Sequence, residues 1–258
     1  RAATQCDPLP PAEATKPLQQ EWTQAEWGAR SKHALAGGRA SRQEYTKQLA
    51  KPIERLCNPM MTKASDINDP KPFRSKPLVS VFGSAGPIAG SEEYIQALNL
   101  GTALGEKGFD VLTGGYAGVM EAVSKGASEA GAHVFGATCD AIVRFRPGIE
   151  ANPWVREEMR TDTLLERLGL VTSKCDAVIV LPGGVGTLVE LALVWNSTMI
   201  GELTPIPIFT VGEPWRGVME ALRNPAFISP AHFGMVEWVS CADQAISRLQ
   251  VLLPQSTS

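Results

Sequence analysis

The sequence predicts an α/β fold: a doubly wound, Rossmann-like and mostly parallel sheet with helices on both faces. Three observations lead to this prediction. Short and almost continuously apolar runs alternate with helical stretches from Pro77 onward, which is typical of parallel strands covered on both sides. Several of these runs end directly in glycine-bearing turns. Finally, 44% hydrophobic residues and 24 glycines are ordinary for a globular protein with many tight turns.

The expected elements follow from the alternation of apolar runs and helical periodicity. Strands are predicted at 78–82, 109–113, 132–138, 176–181 and 205–211, with WVREEM and MVEWV as weaker candidates. Helices are predicted at 91–108, 118–131, 161–175 and 186–201. In a sheet of this kind, ligands bind outside the carboxyl ends of the strands. We therefore expect the functional site at that edge.

Residues 1–77 have a different character. They contain nine prolines and charged stretches such as SRQEYTKQLAKPIERL, and they show no catalytic constellation. Trp22 and Trp27 are spaced to anchor one helix, and ASDINDPKPFRSKP has the composition of a linker. We expect a mainly helical N-terminal extension and linker over 1–77, followed by a nucleotide-binding domain over 78–258.

Charge, hydropathy and cysteine usage limit the partners. The chain has 24 Lys and Arg against 27 Asp and Glu, a net charge of −3, so we expect no nucleic-acid or membrane partner. Five scattered cysteines without a CxxC motif favour free thiols and a cytoplasmic location, with an N-terminal targeting segment left open. The three histidines have no metal-ligand spacing. We expect neither a metal nor a cofactor.

Three glycine-bearing loops follow three of the predicted strands and should meet at one edge of the sheet. They read GSAGP (83–87), GGYAG (114–118) and PGGVGT (182–187). None is a GxGxxG or a GK[ST] motif, so neither a dinucleotide nor a Walker-type site fits. The third loop opens a helix, and backbone N–H groups at a helix N-terminus suit a mononucleotide phosphate. Its candidate phosphate-binding residues are Gly183, Gly184, Gly186 and Thr187; candidates in the other two loops are Gly83, Ser84, Gly114, Gly115, Met120 and Glu121.

Glu190 follows Thr187 by three residues, close to one helical turn, so its carboxylate can share a face with the phosphate cradle. The same two residues also spell a capping box, Thr-x-x-Glu. The spacing alone leaves a catalytic acid and a helix cap about equally supported. For Glu121 the alternative is a helix N-terminal acid, and for Ser84 it is a turn cap.

The segment PGGVGTLVE resembles the PGGxGTxxE signature of the Lonely Guy family of cytokinin-activating phosphoribohydrolases. VFGSAG and TGGYAGVMEAVSKGASEAGAHVFG are similar to two further family segments, and the resemblance covers roughly 78–225. Arg167, fifteen residues before Pro182, takes the place of the arginine in the family's MHERK segment. Two departures are that this segment reads LLERL here, and that GVMEAVSKGA resembles bacterial branches, some of them similar to molybdenum-cofactor carriers.

This resemblance implies hydrolysis of the N-glycosidic bond of a nucleoside 5′-monophosphate, a cytokinin nucleotide or an AMP-like substrate, with release of base and ribose 5-phosphate. Glu190 and Arg167 would be the catalytic residues, and Glu121 a ligand of the ribose hydroxyls. The family also implies a homodimer or higher homo-oligomer. The alternative is a non-catalytic carrier that holds a phosphorylated ligand, such as molybdenum cofactor, in the same cradle.

Overall fold

The computed structural model describes residues 76–254, which contain one seven-stranded sheet in which every strand pairing is parallel. Its strands are β1 (Leu78–Phe82), β2 (Asp110–Thr113), β3 (Val134–Cys139), β4 (Glu157–Thr161), β5 (Ala177–Val180), β6 (Ile208–Val211) and β7 (Val236–Val239). The strand order is β4-β3-β2-β1-β5-β6-β7. From β1 the successive strands are added toward one edge of the sheet as far as β4, and from β5 they are added toward the other edge. The neighbouring strands β1 and β5 therefore form the topological switch point.

Eight helices connect or follow these strands in the described residues. They are α1 (Glu92–Glu106), α2 (Val119–Glu129), α3 (Asp140–Phe145), α4 (Leu164–Ser173), α5 (Val185–Met199), α6 (Glu213–Leu222), α7 (Pro230–Phe233) and α8 (Ala242–Leu252). The α/β, doubly wound fold expected from the sequence is confirmed. The helical extension predicted for 1–77 lies outside the described residues up to position 75.

The hydrophobic core has two layers, one on each face of the sheet. Alternate residues of β1 show the division, since Val79 and Val81 point into one layer and Leu78 and Phe82 into the other. The first layer is closed by α1, α2 and α8, and the second by α4, α5 and α6. Helices on both faces explain why the strands read as continuous apolar runs rather than as an alternating pattern.

Helices α1 and α2 cross at two glycines. A Cβ atom on Gly101 would overlap the carbonyl oxygen of Val123, and one on Gly126 would overlap that of Leu98. The two helices therefore touch backbone to backbone. This contact helps to set the position of α2, which begins directly after the second glycine loop.

Within residues 76–254, no helix is long and apolar enough to cross a membrane. The same part of the chain holds no group of three or more His, Cys, Asp or Glu side chains placed to bind a metal ion.

The helix crossing gives a stability prediction with a matched control. Gly126→Ala should lower the free energy of unfolding by about 1–3 kcal/mol, because the added methyl group has to displace backbone. Gly169→Ala, in the middle of α4 where a Cβ meets nothing within 4 Å, should raise it by roughly 0.5–1 kcal/mol through helix propensity. Urea denaturation of both variants measures the difference. If both variants changed the free energy of unfolding by the same amount and in the same direction, the backbone at the α1–α2 crossing would be able to accommodate a methyl group without cost.

Candidate active site

The three glycine-bearing loops meet at the carboxyl edge of the sheet, as the sequence predicted. The Ser84 N–H donates to the Pro182 carbonyl (3.3 Å), and the Val119 N–H donates to the Ser84 carbonyl (2.9 Å). Gly118, with a φ of +75°, brings its backbone so close to the first loop that a Cβ would lie 2.6 Å from the Ser84 oxygen. Backbone contacts therefore join the first loop to both of the others.

The third loop leads into the N-terminus of α5, where Gly183, Gly184, Val185 and Gly186 are exposed residues. Gly184 is the N-cap residue, and no side chain caps the helix. The first helical hydrogen bond runs from the Leu188 N–H to the Gly184 carbonyl (3.0 Å), so the N–H groups of Val185, Gly186 and Thr187 precede it. Free amides of this kind, together with the helix dipole, are the features with which helix N-termini bind anions in general.

The capping box spelled by Thr187 and Glu190 does not form. Thr187 is the third residue of α5 rather than its cap, and its hydroxyl lies where a Cβ of Gly183 would be. The Glu190 side chain turns instead toward a neighbouring helix. Of the two interpretations that the sequence left open, the cap is therefore wrong. Gly183 is required because a larger residue would collide with Thr187.

A complete capping box does form at the start of α4. Its N-cap residue is Thr163, directly before the LLERL segment, and its acid is Glu166 within that segment. The Glu166 N–H donates to the Thr163 hydroxyl (3.3 Å), and the Thr163 N–H donates to the Glu166 carboxylate (3.0 Å). These backbone and hydroxyl contacts hold the pKa of Glu166 below its ordinary value. Glu166 thus fixes the start of the helix that carries Arg167.

The Arg167 side chain is 7% exposed and donates from all three guanidinium nitrogens. Nε donates to the Ala137 carbonyl in β3 (2.7 Å), and Nη2 donates to the Gly114 carbonyl just after β2 (3.4 Å). Nη1 donates to Glu190 Oε1 (3.3 Å). The ring of Tyr116 lies 5.8 Å from the guanidinium carbon. The guanidinium therefore ties two strand ends to the acid on α5.

The Glu190 carboxylate is 10% exposed and is paired with Arg167. Burial raises the pKa of Glu190 above its ordinary value, while the charge and hydrogen bond of Arg167 oppose that rise. The ionisation of this acid thus depends on its arginine. The structure brings Glu190 and Arg167 together, although they are 23 residues apart in the sequence.

Two further predicted glycines make room for this arrangement. A Cβ on Gly114 would overlap Arg167 Nη2 and lie 2.5 Å from the sulfur of Met120. A Cβ on Gly83 would overlap the side chain of Val119. Gly114 and Met120 accordingly lie against the ion pair, and Gly83 allows α2 to approach β1.

Gly115 and Glu121 have structural partners away from the ion pair. The Gly115 carbonyl accepts from the Asn152 N–H (2.8 Å), and its Cα packs against β3. The Glu121 carboxylate lies near the Tyr94 hydroxyl of α1; burial first, and then this negative charge, raises the pKa of Tyr94. A ribose-binding role for Glu121 stays a prediction.

A cleft of about 400 Å³ opens at the switch point, beside the third loop. Its lining residues are Ser84, Pro87, Glu93, Gln96, Val119, Leu181, Pro182 and Gly183. Sequence reasoning missed Glu93 and Gln96. The sequence signal that could have identified these two residues is their position in the first turns of α1, the helix that follows the first glycine loop.

Comparison with known proteins places the chain in a family. The model of the SLOG cluster4 family matches residues 76–213, which is more than half of the chain. The chain belongs to this family. The Lonely Guy-type resemblance inferred from the PGGVGTLVE motif is thereby confirmed.

Curated relatives agree with this assignment. The cytokinin riboside 5′-monophosphate phosphoribohydrolase of Mycobacterium tuberculosis is 31% identical over 159 residues, covering 59% of this chain and 82% of that protein. The probable cytokinin riboside 5′-monophosphate phosphoribohydrolase LOGL5 of Oryza sativa subsp. japonica is 26% identical over 182 residues, covering 68% and 72%. Both relatives are hydrolases by name, so at the family level this chain is similar to hydrolases.

A solved structure shares the fold. The molybdenum cofactor binding protein from the phototrophic bacterium Rippkaea orientalis superposes with a TM-score of 0.55 at 23% identity, covering 70% of this chain and 99% of that one. Similarity at this level of identity shows the fold alone.

The buried ion pair predicts a pH-dependent loss of stability in Arg167→Met. Without the cation, a buried carboxylate is left uncompensated, so the free energy of unfolding near neutral pH should fall by about 3–5 kcal/mol. A raised pKa in the folded state penalises folding only where Glu190 is ionised when unfolded. The penalty therefore grows as pH rises through the ordinary carboxyl range and is absent at lower pH. The deficit should be smaller near pH 4 than near pH 7, as measured by urea denaturation.

Arg160→Met is the matched control, because its ion pair with Asp140 is exposed. This variant should change the stability little at either pH. A deficit in Arg167→Met that is independent of pH would contradict the assigned role of Glu190 as its charged partner.

Proposed function

We propose that this protein hydrolyses the N-glycosidic bond of nucleoside 5′-monophosphates and releases free base and ribose 5-phosphate. The observation that carries the proposal is the buried pair of Arg167 and Glu190, with Glu190 in the early turns of a helix whose N-terminus has no side-chain cap. The names of the curated relatives, which act on a riboside 5′-monophosphate, support the same reaction class.

In this proposal the 5′-phosphate binds at the N-terminus of α5. The amides of Val185, Gly186 and Thr187 point out of the helix end, and the helix dipole favours a dianion there. Gly183 and Gly184 are exposed, so the backbone is open to an approaching phosphate. This anchor fixes one end of the substrate and leaves the ribose to face the acid.

We assign Glu190 to act at the ribose carbon from which the base departs. Departure of the base develops positive charge on the ribose, and a carboxylate held nearby stabilises that charge and orients or deprotonates the attacking water. Because Glu190 is 10% exposed, water screens its charge weakly and the interaction with a cation is strong. The buried position thus suits an electrostatic role.

Arg167 is assigned to hold Glu190 in place and ionised. Its three nitrogens already donate to Ala137, Gly114 and Glu190, so the guanidinium is fixed by the fold rather than directed at solvent. These three bonds use three of the five guanidinium N–H groups, and the side chain is only 7% exposed, which limits its access to a phosphate or a departing base. The observed contacts favour the orienting role.

The carrier alternative uses the same cradle without turnover. Its only structural support is a shared fold, whereas the paired acid and arginine have a use in hydrolysis. Base release by purified protein separates the two functions.

Replacing the acid tests the reaction. Glu190→Gln keeps the size of the side chain and removes its charge, so base release from AMP should fall by a factor on the order of 100 or more while AMP still binds. Release is measured by chromatography and binding by calorimetry. Glu166→Gln, on the exposed start of α4, serves as the control and should retain turnover. A fully active Glu190→Gln protein would remove Glu190 from the mechanism.

The phosphate cradle predicts a preference that an ordinary nucleoside hydrolase would lack. Binding energy from the phosphate orients the reacting bond, so AMP should be cleaved at least about 100-fold faster than adenosine, with or without a chelator. The measurement is adenine release from both compounds. Equal rates for the two, or complete loss of activity with the chelator, would contradict a phosphate-anchored and metal-free reaction.

We also propose a homodimer that uses the outer face of α5. One face of this helix is buried in the core, and the opposite face carries exposed Val185, Leu188, Val189 and Met199. Ala192 lies in the same exposed stripe. An apolar stripe at helical spacing on the surface is typical of an interaction face. The implication from the family resemblance points to a second copy of the chain.

Light scattering at micromolar protein should therefore give about twice the chain mass of 27.7 kDa. Ala192→Glu places a charge in the stripe and should shift the mass to that of a monomer without loss of helical circular dichroism. Ile95→Glu, at an exposed position of α1, is the control and should remain a dimer. A monomeric wild-type protein would refute the proposal.

A further inference from the structure

The cleft at the switch point contains one carboxylate with no assigned use. Glu93 lines it together with the polar residues Ser84 and Gln96, and the remaining walls are mostly apolar. The cleft reaches Gly183, the first glycine of the proposed phosphate cradle. A ligand anchored on α5 would therefore place its next chemical group in or beside this cleft.

Glu93 is the acid in this region that the fold leaves available. Within residues 76–254 its carboxylate has no hydrogen-bond or ion-pair partner. Glu190 is paired with Arg167, and Glu121 interacts electrostatically with Tyr94.

Gln96, one turn along α1, donates its amide to Glu92 (3.0 Å). One N–H of the Gln96 amide is therefore used by Glu92, which does not line the cleft.

The chemistry of a carboxylate decides what it can hold. An ionised carboxylate only accepts hydrogen bonds, and its two oxygens match two donors held side by side. The vicinal 2′ and 3′ hydroxyls of ribose are such a pair, and an acid that binds ribose hydroxyls is a recurring part of Rossmann-like sites. The negative charge of Glu93 also disfavours a phosphate in the cleft, which directs the phosphate to the amides of α5.

We propose that Glu93 binds the 2′ and 3′ hydroxyls of the nucleotide ribose in the cleft between α1 and the third glycine loop. The inference rests on the proposed function for the identity of the ligand. It assigns to Glu93 the ribose-binding role that the sequence suggested for Glu121. Glu93 fixes the sugar from the α1 side, and Glu190 acts on it from the α5 side.

The test compares AMP with 2′-deoxyAMP and 3′-deoxyAMP by calorimetry, in a Glu190→Gln background where turnover is blocked. Loss of either hydroxyl should weaken binding about tenfold. Adding Glu93→Ala should weaken AMP binding by a similar factor and reduce the difference between AMP and the deoxynucleotides to about twofold or less, because the partner of the hydroxyls is gone. Glu92→Ala removes an acid from the same helical turn outside the cleft, and it should keep the tenfold difference.

An unchanged tenfold difference in the Glu93→Ala protein would overturn the inference. So would a loss that follows the base, seen as an altered ratio of AMP to IMP affinity, since the cleft would then hold the base. Failure of the proposed function has a different result: wild-type protein binds AMP but releases no adenine, while the hydroxyl comparison is still measured. If AMP binds to none of the proteins, both the function and the ribose assignment are wrong.

Discussion

The arrangement at the sheet edge depends on the buried ion pair between Arg167 and Glu190. A buried arginine needs hydrogen-bond acceptors for its charge, and each of the three nitrogens of Arg167 has one: a carbonyl within β3, a carbonyl just after β2, and the Glu190 carboxylate. Burial raises the pKa of Glu190, and the charge and hydrogen bond of that arginine oppose the rise. In addition to the core packing of α4 and α5, one guanidinium group therefore connects these two helices to β2 and β3. The catalytic geometry that we propose and the packing of this edge depend on the same three contacts.

The glycines of the three loops have a packing reason that does not require a ligand. Gly114 leaves room for the Arg167 guanidinium, Gly83 for Val119 and Gly183 for the Thr187 side chain. Close approach of main chain to neighbouring groups is also what exposes N–H groups to an anion. The two explanations are complementary, because a residue with a side chain at any of these positions would push the loops apart and close the cradle.

Much of the fold was predictable because the central strands are buried on both faces. The run at 78–82 coincides with β1, whereas the expected strand at 205–211 begins only at Ile208, after two prolines that lack an N–H for the ladder. The edge strand β4 reads EEMRT and is mostly exposed, so apolar periodicity gave only a weak signal for it.

The sequence identified those site residues that lie within one short motif. It did not identify contacts between residues that are far apart in the chain. Glu190 and Arg167 were recognised through motifs, but their direct hydrogen bond follows from the sheet order. The Thr-x-x-Glu pattern fits both a cap and a core acid, and only the start of α5 at Val185 separates them. Glu93 looked like an ordinary first-turn acid of α1. Its place in the cleft depends on the third loop, about 90 residues later in the chain.

Helix α5 is used on every side. Its N-terminal amides face the proposed phosphate, one stripe packs on the sheet, Glu190 meets Arg167, and the outer stripe is apolar and exposed. Most positions of α5 therefore have a structural role or a proposed functional role. The nine residues of PGGVGTLVE therefore serve loop packing, the buried ion pair and the proposed phosphate site together. In the partner helix α4, the two residues that match the family's MHERK segment are Glu166, which caps the helix, and Arg167, which pairs with Glu190.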